Sequence, residues 1–307
     1  MKLCISLATR GRAGQLVDTV RRSIVNWTDP ETVIYVQIDD DDLQSFDYMK
    51  DAKLGERVIL NVQPREDTIA EKWNRVLTVP ADVYMSAADD DPYVIPGYDT
   101  KILEAAKRFP DGIGTVYGWM ANLSFTGVSA PTAKMCEKLG YIFPPLFPYW
   151  FVDHWVDDVF KMIGRISFAD IRTDQTKAGK TQEMREPAWW ATFFDACYLL
   201  RRRQARDIIR NADFFGPEWQ KELLLTGYPL IEQRSRGVNE NVRQQSKQLE
   251  TWSGLSAKDP RYERIKSRAM AMVPGLLADP EMLPHERAFF ANILTPPTVI
   301  QALRKVT

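Results

Sequence analysis

The chain has 307 residues, of which 45% are hydrophobic and 26% are charged. This composition is typical of a globular protein and excludes collagen-like and disordered chains, and the length allows one large or two medium domains. No window approaches about 18 uninterrupted apolar residues, so the sequence predicts no membrane span. Three widely separated cysteines form no C-x-x-C pair, which excludes a disulfide scaffold and a zinc ribbon and favours a reducing, cytoplasmic compartment.

The net charge of −1 hides an asymmetry between the two parts of the chain. Residues 1–180 hold 21 basic and 26 acidic residues, whereas residues 181–307 hold 19 basic and 15 acidic ones. The acidic part contains two dense aspartate clusters, and the basic part contains Arg201, Arg202 and Arg203 in a row. Neither part is basic enough to indicate a nucleic-acid-binding protein by its charge alone.

Strand and helix patterns alternate along the first 120 residues. Short apolar runs predict five strands, at Lys2–Ala8, Val33–Ile38, Arg57–Val62, Ala81–Ala87 and Gly112–Tyr117. Between them, apolar residues at helical spacing predict helices, among them one over Thr68–Leu77 and one from Pro96 to Phe109. Such alternation implies right-handed crossovers and a mostly parallel, Rossmann-like α/β sheet, in which ligands bind beyond the carboxyl ends of the strands.

Strand signals become sparse after residue 120. Phe143–Trp150 is rich in aromatic residues and proline, which predicts a loop with packed side chains. Helical patterns follow over Asp153–Ile163 and Glu186–Asn211, and residues 212–307 are predicted to be helical and rich in loops. We therefore predict a catalytic α/β domain over residues 1–165 and a mainly helical extension over residues 166–307 that packs on it.

Three adjacent aspartates, Asp89, Asp90 and Asp91, come directly after the fourth predicted strand. Their charges repel one another unless a cation or water neutralises them. An Asp-x-Asp pair such as Asp89 and Asp91 supplies two hard oxygen ligands, which suits Mg²⁺ or Mn²⁺ that substrate phosphates also hold. The position after an apolar strand favours a metal site over the alternative, a solvated turn that caps the following helix.

Two further strand ends carry polar residues that fit a nucleoside or phosphate ligand. Asp39 and Asp40 can accept hydrogen bonds from a base or a ribose hydroxyl, although their four-residue aspartate cluster also fits a charged loop with helix caps. Thr9, Arg10 and Arg12 follow the first strand, where an arginine can bind a diphosphate bidentately. The chain lacks both G-x-x-x-x-G-K-[ST] and G-x-G-x-x-G after the first strand, which disfavours a phosphate-loop nucleotidase and a dinucleotide dehydrogenase.

Asp153 begins the helix that follows the aromatic loop, and Asp157 lies one turn later on the same face. A carboxylate at the edge of an aromatic pocket can be a general base, and the alternative for these residues is N-capping and a solvated helix face. His154 is one of only two histidines, so a zinc protease or a Ser-His-Asp triad is disfavoured. It is a candidate metal ligand, with a structural role beside the aromatic residues as the alternative.

The order of these motifs resembles the nucleotide-sugar half of family 2 glycosyltransferases, which have the glycosyltransferase-A fold. The resemblance rests on ISLATRGR, VIYVQIDD, IAEKWNRVL and ADVYMSAADDD followed by PGYD, in that order, and it covers about residues 1–165. The positions that match the family's motifs are Asp39, Asp40, Ala70, Asn74, Asp89, Asp91 and, eleven residues before Gly164, Asp153. The chain departs from the family at Gly11, at the Asp41-Asp42 pair and at Val152, where the family has Asn, Gly-Ser and Glu.

The resemblance implies transfer of a sugar from a nucleoside diphosphate sugar, expected to be a UDP-sugar, to an acceptor hydroxyl with inversion. It implies Mn²⁺ or Mg²⁺ bound through Asp91 with help from Asp89, which would neutralise the leaving diphosphate. It implies a base at Asp153, with Asp157 as a backup. The residues expected to bind the donor are Thr9, Arg10, Arg12, Asp39, Asp40, Asn74, Asp89 and Asp90.

The acceptor is left open among a glycan, a lipid, a protein, a small molecule and, as the second named candidate beside a glycan, a hydroxymethylated DNA base. The second follows from the segment FFDACYLLRRRQARDII, which is similar to sequences of phage-encoded relatives and would place the protein in the host cytoplasm. Arg203, Arg206 and Arg210 line one predicted helix face and can follow a phosphate backbone, with a salt-bridged helix as the alternative. Two other functions remain open, a nucleotidyltransferase and a non-catalytic glycosyltransferase-like binding module.

Overall fold

Two β-sheets and ten α-helices are present in the part of the chain that the computed structural model describes, residues 1–119, 128–174, 186–210 and 260–295. The strands are β1 (Leu3–Ala8), β2 (Val33–Asp39), β3 (Val58–Gln63), β4 (Val83–Ala88), β5 (Thr115–Trp119), β6 (Val128–Pro131) and β7 (Ile166–Arg172). The helices are α1 (Ala13–Ile24), α2 (Leu43–Asp51), α3 (Ile69–Asn74), α4 (Tyr98–Ala106), α5 (Ala133–Leu139), α6 (Val152–Ile163), α7 (Pro187–Ala196), α8 (Tyr198–Arg210), α9 (Pro260–Leu277) and α10 (Pro284–Leu294). No helix among the described residues is long and apolar enough to cross a membrane.

The first sheet has the strand order β3-β2-β1-β4, and its strands all run parallel. All six residues of the central strand β1 are buried, as expected for a strand that is covered on both faces. Leu3, Ile5 and Leu7 pack in a core with α1 and α4, whereas Cys4 packs in a second core with the C-terminal helices. The predicted parallel α/β architecture is confirmed, and the carboxyl ends of β1, β2 and β4 lie at one edge of this sheet.

The second sheet has the order β6-β5-β7, with β5 parallel to β7 and antiparallel to β6. A bridge between Val83 and Thr132 links it to β4 of the first sheet. Neither β6 nor β7 is among the strands predicted from the sequence. The reason is that β6 has only four residues, while β7 exposes Phe168 and buries Ser167, so its sequence shows no clear alternation of apolar and polar residues.

The single helix predicted over Glu186–Asn211 is wrong within the described residues, because the chain forms two helices that meet at Cys197. In a continuous helix the carbonyl of Phe194 would accept from the backbone N–H four residues later. Here that carbonyl accepts from the guanidinium of Arg201 at 2.6 Å. The buried arginine therefore takes the acceptor that helix continuation needs. The predictions for residues 212–259 and 296–307 lie outside the described residues.

The C-terminal helices contact both α7 and the start of α3. Trp190 of α7 donates to the hydroxyl of Tyr262 on α9 at 3.1 Å, within an aromatic core. On the same helix α9, Arg268 binds the carboxylate of Glu71 at 2.9 Å. Glu71 also closes a capping box with Thr68 at the beginning of α3. The described part of the C-terminal region thus packs against the element that follows β3.

We predict that replacing Arg201 with Met destabilises the protein by about 3–5 kcal/mol, because Asp158 would then be a buried charge without its partner. The two side chains are 0% and 1% exposed and pair at 2.6 Å. The matched control is Arg210→Met, which removes an exposed pair with Asp207 and should cost less than about 0.5 kcal/mol. Urea unfolding of the two variants measures the difference, and equal midpoints would contradict the assignment.

Candidate active site at the carboxyl edge of the parallel sheet

The loop after β1 is bound to both aspartate clusters. Thr9 donates its hydroxyl to Oδ2 of Asp89 at 2.8 Å, on the β4 side. The backbone N–H of Gly11 donates to Oδ2 of Asp42 at 2.8 Å, on the β2 side, where Asp42 also caps α2. Gly11 has φ +64, a left-handed conformation that glycine adopts at low cost. The structure therefore brings the three predicted strand ends together at one edge.

Asp39 is a buried carboxylate, 3% exposed, that three cations surround. Its oxygens lie 2.8 Å from Nζ of Lys72, 3.0 Å from the guanidinium of Arg10 and 3.4 Å from that of Arg75. The ammonium of Lys72 also donates to the carbonyl of Thr9 at 2.6 Å, so it connects the ends of β1 and β2. Burial lowers the pKa of Lys72, and Asp39 offsets only part of that effect.

The remaining members of the first cluster differ in exposure. Asp40 is exposed, whereas Asp41 receives two hydrogen bonds from Arg10 at 2.5 and 3.0 Å. The hydrogen bond from Arg10 is the largest influence on Asp41 and holds the pKa of that carboxyl below its usual value. Arg10 thus joins Asp39 and Asp41 while staying 38% exposed.

Asp89 is completely buried, and both of its carboxylate oxygens are engaged. Oδ2 accepts from Thr9, and Oδ1 lies 2.5 Å from the guanidinium of Arg12, which also reaches Asp90 at 3.3 Å. Burial raises the pKa of Asp89, although Arg12 and Thr9 act in the opposite direction. Asp89 therefore connects β4 to the β1 loop, and Asp90 and Asp91 are the partly exposed members of the triplet.

The predicted metal ligands do not form a complete protein site. Among the described residues, no group of three histidine, cysteine, aspartate or glutamate side chains is arranged to hold a metal ion. The expected set of Asp89, Asp91 and His154 is therefore not assembled, and Asp89 is already committed to Thr9 and Arg12. A hard cation fits this site only if the protein supplies one or two carboxylates and phosphates and water supply the other ligands, which is the usual arrangement for Mg²⁺.

Asn74, expected to bind the donor, instead fastens the aromatic loop. Its Oδ1 accepts from the backbone N–H groups of Ile142 and Phe143 at 2.9 and 3.1 Å. Its Nδ2 donates to the carbonyl of Phe143 at 2.8 Å. Three of the four hydrogen bonds that the amide can make go to the backbone of this loop, so we do not include Asn74 among the donor-binding residues.

Asp153 begins α6 and is 34% exposed at its side chain. It accepts from the backbone N–H of His154 at 2.8 Å and from Nδ1 of the same residue at 2.9 Å. Burial alone would raise the pKa of Asp153, but His154 outweighs it, so the pKa lies below its usual value. Burial likewise lowers the pKa of His154, and Asp153 and Asp157 outweigh that effect and raise it. Asp153 is thus an ionised carboxylate with a partly open face.

Asp157, the predicted backup for Asp153, has a carboxylate that is 2% exposed and bound on both oxygens. Tyr117 donates to one oxygen at 3.1 Å, and Lys161 lies 2.5 Å from the other. Asp158, the next residue, pairs with Arg201 in the core. The carboxylates that follow Asp153 on α6 are therefore structural.

Tyr149 lies in the aromatic loop, four residues before Asp153, and no sequence pattern singled it out. Burial raises the pKa of its hydroxyl to about 12, and the charges that act on it are those of Asp153, Asp90, Arg12 and Asp89. Its side chain is therefore within electrostatic reach of both the β4 end and the start of α6. Lys72 and Arg75 were also missed, although they are three residues apart on a predicted helix and so share the face that meets Asp39.

The basic run of α8 is paired within the chain. Arg203 binds Asp279 at 2.7 Å, and Arg206 binds Glu281 at 3.0 Å. Arg210 lies 3.6 Å from Asp207 one turn earlier. These pairs match the salt-bridged helix that the sequence left as the alternative to a phosphate-binding surface.

Comparison with known proteins identifies no family for the chain, since neither a family model nor a curated protein matches it. Among solved structures, the chain is similar at 13% identity to S. aureus TarS, residues 1–349. The TM-score is 0.48, over 91% of this chain and 83% of that one. The complex of TarS with UDP-GlcNAc gives 0.47 over the same shares, and the complex with UDP gives 0.48 over 100% and 92%.

We predict that the pair of Asp153 and His154 makes stability depend on pH. The carboxylate pKa is lowered and the imidazole pKa is raised, so the pair contributes fully between the unfolded values of about 3.9 and 6.5. That contribution is lost as the pH rises through the raised pKa of His154. The melting temperature of Asp153→Asn should therefore approach that of the wild type between about pH 6 and pH 9.

The control for this measurement is Asp170→Asn, an exposed position on β7. Its difference from the wild type should stay constant over the same pH range. A constant difference for Asp153→Asn as well would show that the pair does not titrate with folding.

Proposed function

We propose that the protein is a glycosyltransferase that moves a sugar from a nucleoside diphosphate sugar to an acceptor hydroxyl. The observation that carries the proposal is the convergence of Asp39, Asp89 and the loop after β1 at one sheet edge. The charges of Asp153 and of Asp89 both act on the hydroxyl of Tyr149, which links the start of α6 to the same region. Ligands of parallel α/β sheets bind at this edge. The ionised, partly exposed carboxylate of Asp153 suits a general base. This feature favours sugar transfer over the two other open functions, a nucleotidyltransferase and a non-catalytic binding module.

The donor is proposed to lie along the loop after β1. The exposed carboxylate of Asp40 is the group that can accept from the ribose or base, because Asp39 is enclosed by three cations. Arg10 and Arg12 are 38% and 42% exposed and can donate to the diphosphate. We expect a UDP-sugar as the donor.

A divalent cation, Mg²⁺ or Mn²⁺, fits this site if Asp91 shares it with the diphosphate oxygens, and it would neutralise charge on the leaving group. Asp91 is partly exposed, whereas Asp89, two residues earlier, is buried. The chain's own contribution is to hold the turn after β4 in place through the bonds of Thr9 and Arg12 to Asp89.

Asp153 is proposed to accept the proton of the acceptor hydroxyl as its oxygen attacks the anomeric carbon. The bond between that carbon and the diphosphate oxygen breaks on the opposite side, so the configuration inverts. The lowered pKa keeps Asp153 ionised at neutral pH, which is the state a base needs. Glycans, lipids, proteins, small molecules and hydroxymethylated DNA bases all present a suitable hydroxyl, and the internal pairing of the α8 arginines disfavours DNA as the acceptor.

We expect Asp153→Asn to lower acceptor-dependent transfer by about 10²- to 10⁴-fold, the usual scale for removal of a general base. Donor affinity should stay within about twofold, because Asp153 faces the acceptor. The assay follows sugar transfer from UDP-glucose, UDP-N-acetylglucosamine, GDP-mannose and dTDP-glucose to a panel of hydroxyl acceptors that includes glycans and hydroxymethylated DNA, with donor binding recorded beside it. Pyrophosphate formation from a nucleoside triphosphate would instead indicate a nucleotidyltransferase, and absence of donor binding a non-catalytic module.

We also expect Asp91→Asn to abolish any gain in donor affinity that Mn²⁺ produces in the wild type, while the melting temperature is unchanged. The melting temperature should not change, because Asp91 is partly exposed in the turn after β4, whereas Asp89 is the buried carboxylate that connects this turn to the loop after β1. Calorimetric titration of the donor with Mn²⁺ and with EDTA measures it. Asp47→Asn on the exposed face of α2 is the matched control, and a full Mn²⁺ response in Asp91→Asn would refute the assignment.

A further inference from the structure

The aromatic loop that precedes α6 is fastened at both ends and in the middle. Asn74 binds the backbone of residues 142 and 143 at its beginning. The ring of Phe147, which is 0% exposed, lies in its middle and contacts a cluster of five aromatic rings. Those rings belong to Phe151, Trp155, Trp190, Phe193 and Phe194.

The end of the loop is held in a conformation that non-glycine residues rarely adopt. Phe151 has φ +75 and ψ −9 and immediately precedes α6. Its side chain is 1% exposed and stacks on Phe194 with ring centroids 5.6 Å apart. Strained backbone of this kind persists only where the surroundings enforce it, and it is concentrated at functional sites. Here it determines how the chain passes from Trp150 to Asp153.

Two stretches of the loop remain in partial contact with solvent, Pro145–Leu146 and Pro148–Trp150, and the second lies next to the start of α6. Within the described residues, the hydroxyl of Tyr149 has no hydrogen bond to the protein. Its ring lies 6.0 Å from that of Trp150, in an edge-to-face arrangement. A partly exposed hydroxyl on a rigid loop, next to the start of α6, is free to serve a ligand.

The position of this hydroxyl relative to the charged groups indicates which part of a ligand it meets. Asp153 acts on it from the side of the proposed base, and Asp89, Asp90 and Arg12 act on it from the side of the proposed diphosphate. The same burial and carboxylates keep its proton in place at neutral pH, since they raise its pKa to about 12. Tyr149 is therefore a hydrogen-bond donor between the acceptor side and the leaving-group side.

We propose that Tyr149 contacts the sugar that is transferred, with its hydroxyl donating a hydrogen bond to an oxygen of that sugar. The proposal rests on the proposed function, because the transferred sugar is the one part of the substrates that must lie between the diphosphate and the acceptor hydroxyl. A neutral phenol suits this place, since it adds no charge to a site rich in carboxylates. A sugar oxygen can accept from Tyr149 while the hydroxyl it belongs to donates to a carboxylate.

The test compares Tyr149→Phe with the wild type on pairs of ligands that differ only by the sugar. UDP-glucose, UDP-N-acetylglucosamine, GDP-mannose and dTDP-glucose are each titrated beside the free diphosphate UDP, GDP or dTDP. For every nucleotide sugar that the wild type binds, the variant should lose about 5- to 20-fold in affinity, the scale of one hydrogen bond. Affinity for the free diphosphate should change by less than about twofold.

Tyr141→Phe is the matched control, because its hydroxyl donates to Gln204 at 2.7 Å and has a structural role. It should leave the ratio of the affinities for nucleotide sugar and free diphosphate as in the wild type. Equal losses of affinity for the free diphosphate and the nucleotide sugar in Tyr149→Phe would make the residue a diphosphate contact or a structural one. Unchanged affinities would show that it does not belong to the site. Either result overturns the assignment alone, whereas a wild type that binds no nucleotide sugar overturns the proposed function and the assignment with it.

Discussion

The buried carboxylate of Asp39 and the three cations around it form the interaction on which the rest of the site depends. A buried carboxylate without partners would be strongly destabilising, so the fold must bring positive charge to the end of β2. Lys72 of α3 and Arg75, the residue directly after α3, supply it, and Lys72 also donates to the carbonyl of Thr9. One ion cluster therefore connects two strand ends and the helix after β3.

Asp89 makes the corresponding connection on the other side of β1. Its carboxylate is bound by Thr9 and Arg12, and its backbone carbonyl accepts from Thr19 of α1 at 2.8 Å. The loop after β1 is thereby held between two buried anions, one at β2 and one at β4. These contacts fix the geometry of a loop that has no regular secondary structure, and they leave its two arginines partly exposed to solvent.

The sequence was most informative where one residue pattern had one structural solution. The apolar runs that end in Asp39 and Asp89 predicted strands with ligand-like termini, and the structure has both at one edge. Burial and partners were not predictable, because a run such as Asp89–Asp91 does not show which member turns inward. The roles of Asn74 and Asp157 were missed for the same reason, since each depends on a backbone or side chain that is distant in sequence.

The break between α7 and α8 shows the limit of periodicity itself. Trp190, Phe194, Cys197 and Ile208 are apolar at helical spacing, and all are buried, so the pattern correctly identified a buried face. It could not reveal that Arg201 would turn inward to Asp158 and take the carbonyl of Phe194. A single buried polar side chain overrode the local preference for one continuous helix. The cause is visible only in the packing of α6 against α8.

The four cations of the site differ in solvent exposure, and this difference explains how the proposed anionic ligand could bind beside the protein's own carboxylates. Lys72 and Arg75 have side chains that are only 6% exposed and lie on the inner side of Asp39, whereas Arg10 and Arg12 are 38% and 42% exposed. A ligand that enters from solvent therefore meets the two arginines before it meets the buried carboxylates of Asp39 and Asp89. Each guanidinium has five N–H donors in a planar fork, so one edge can stay on an aspartate while another binds a phosphate. A lysine ammonium at either position lacks this planar fork and could not pair bidentately with an anion, so an arginine is the better fit for the proposed diphosphate beside the aspartates that hold the strand ends together.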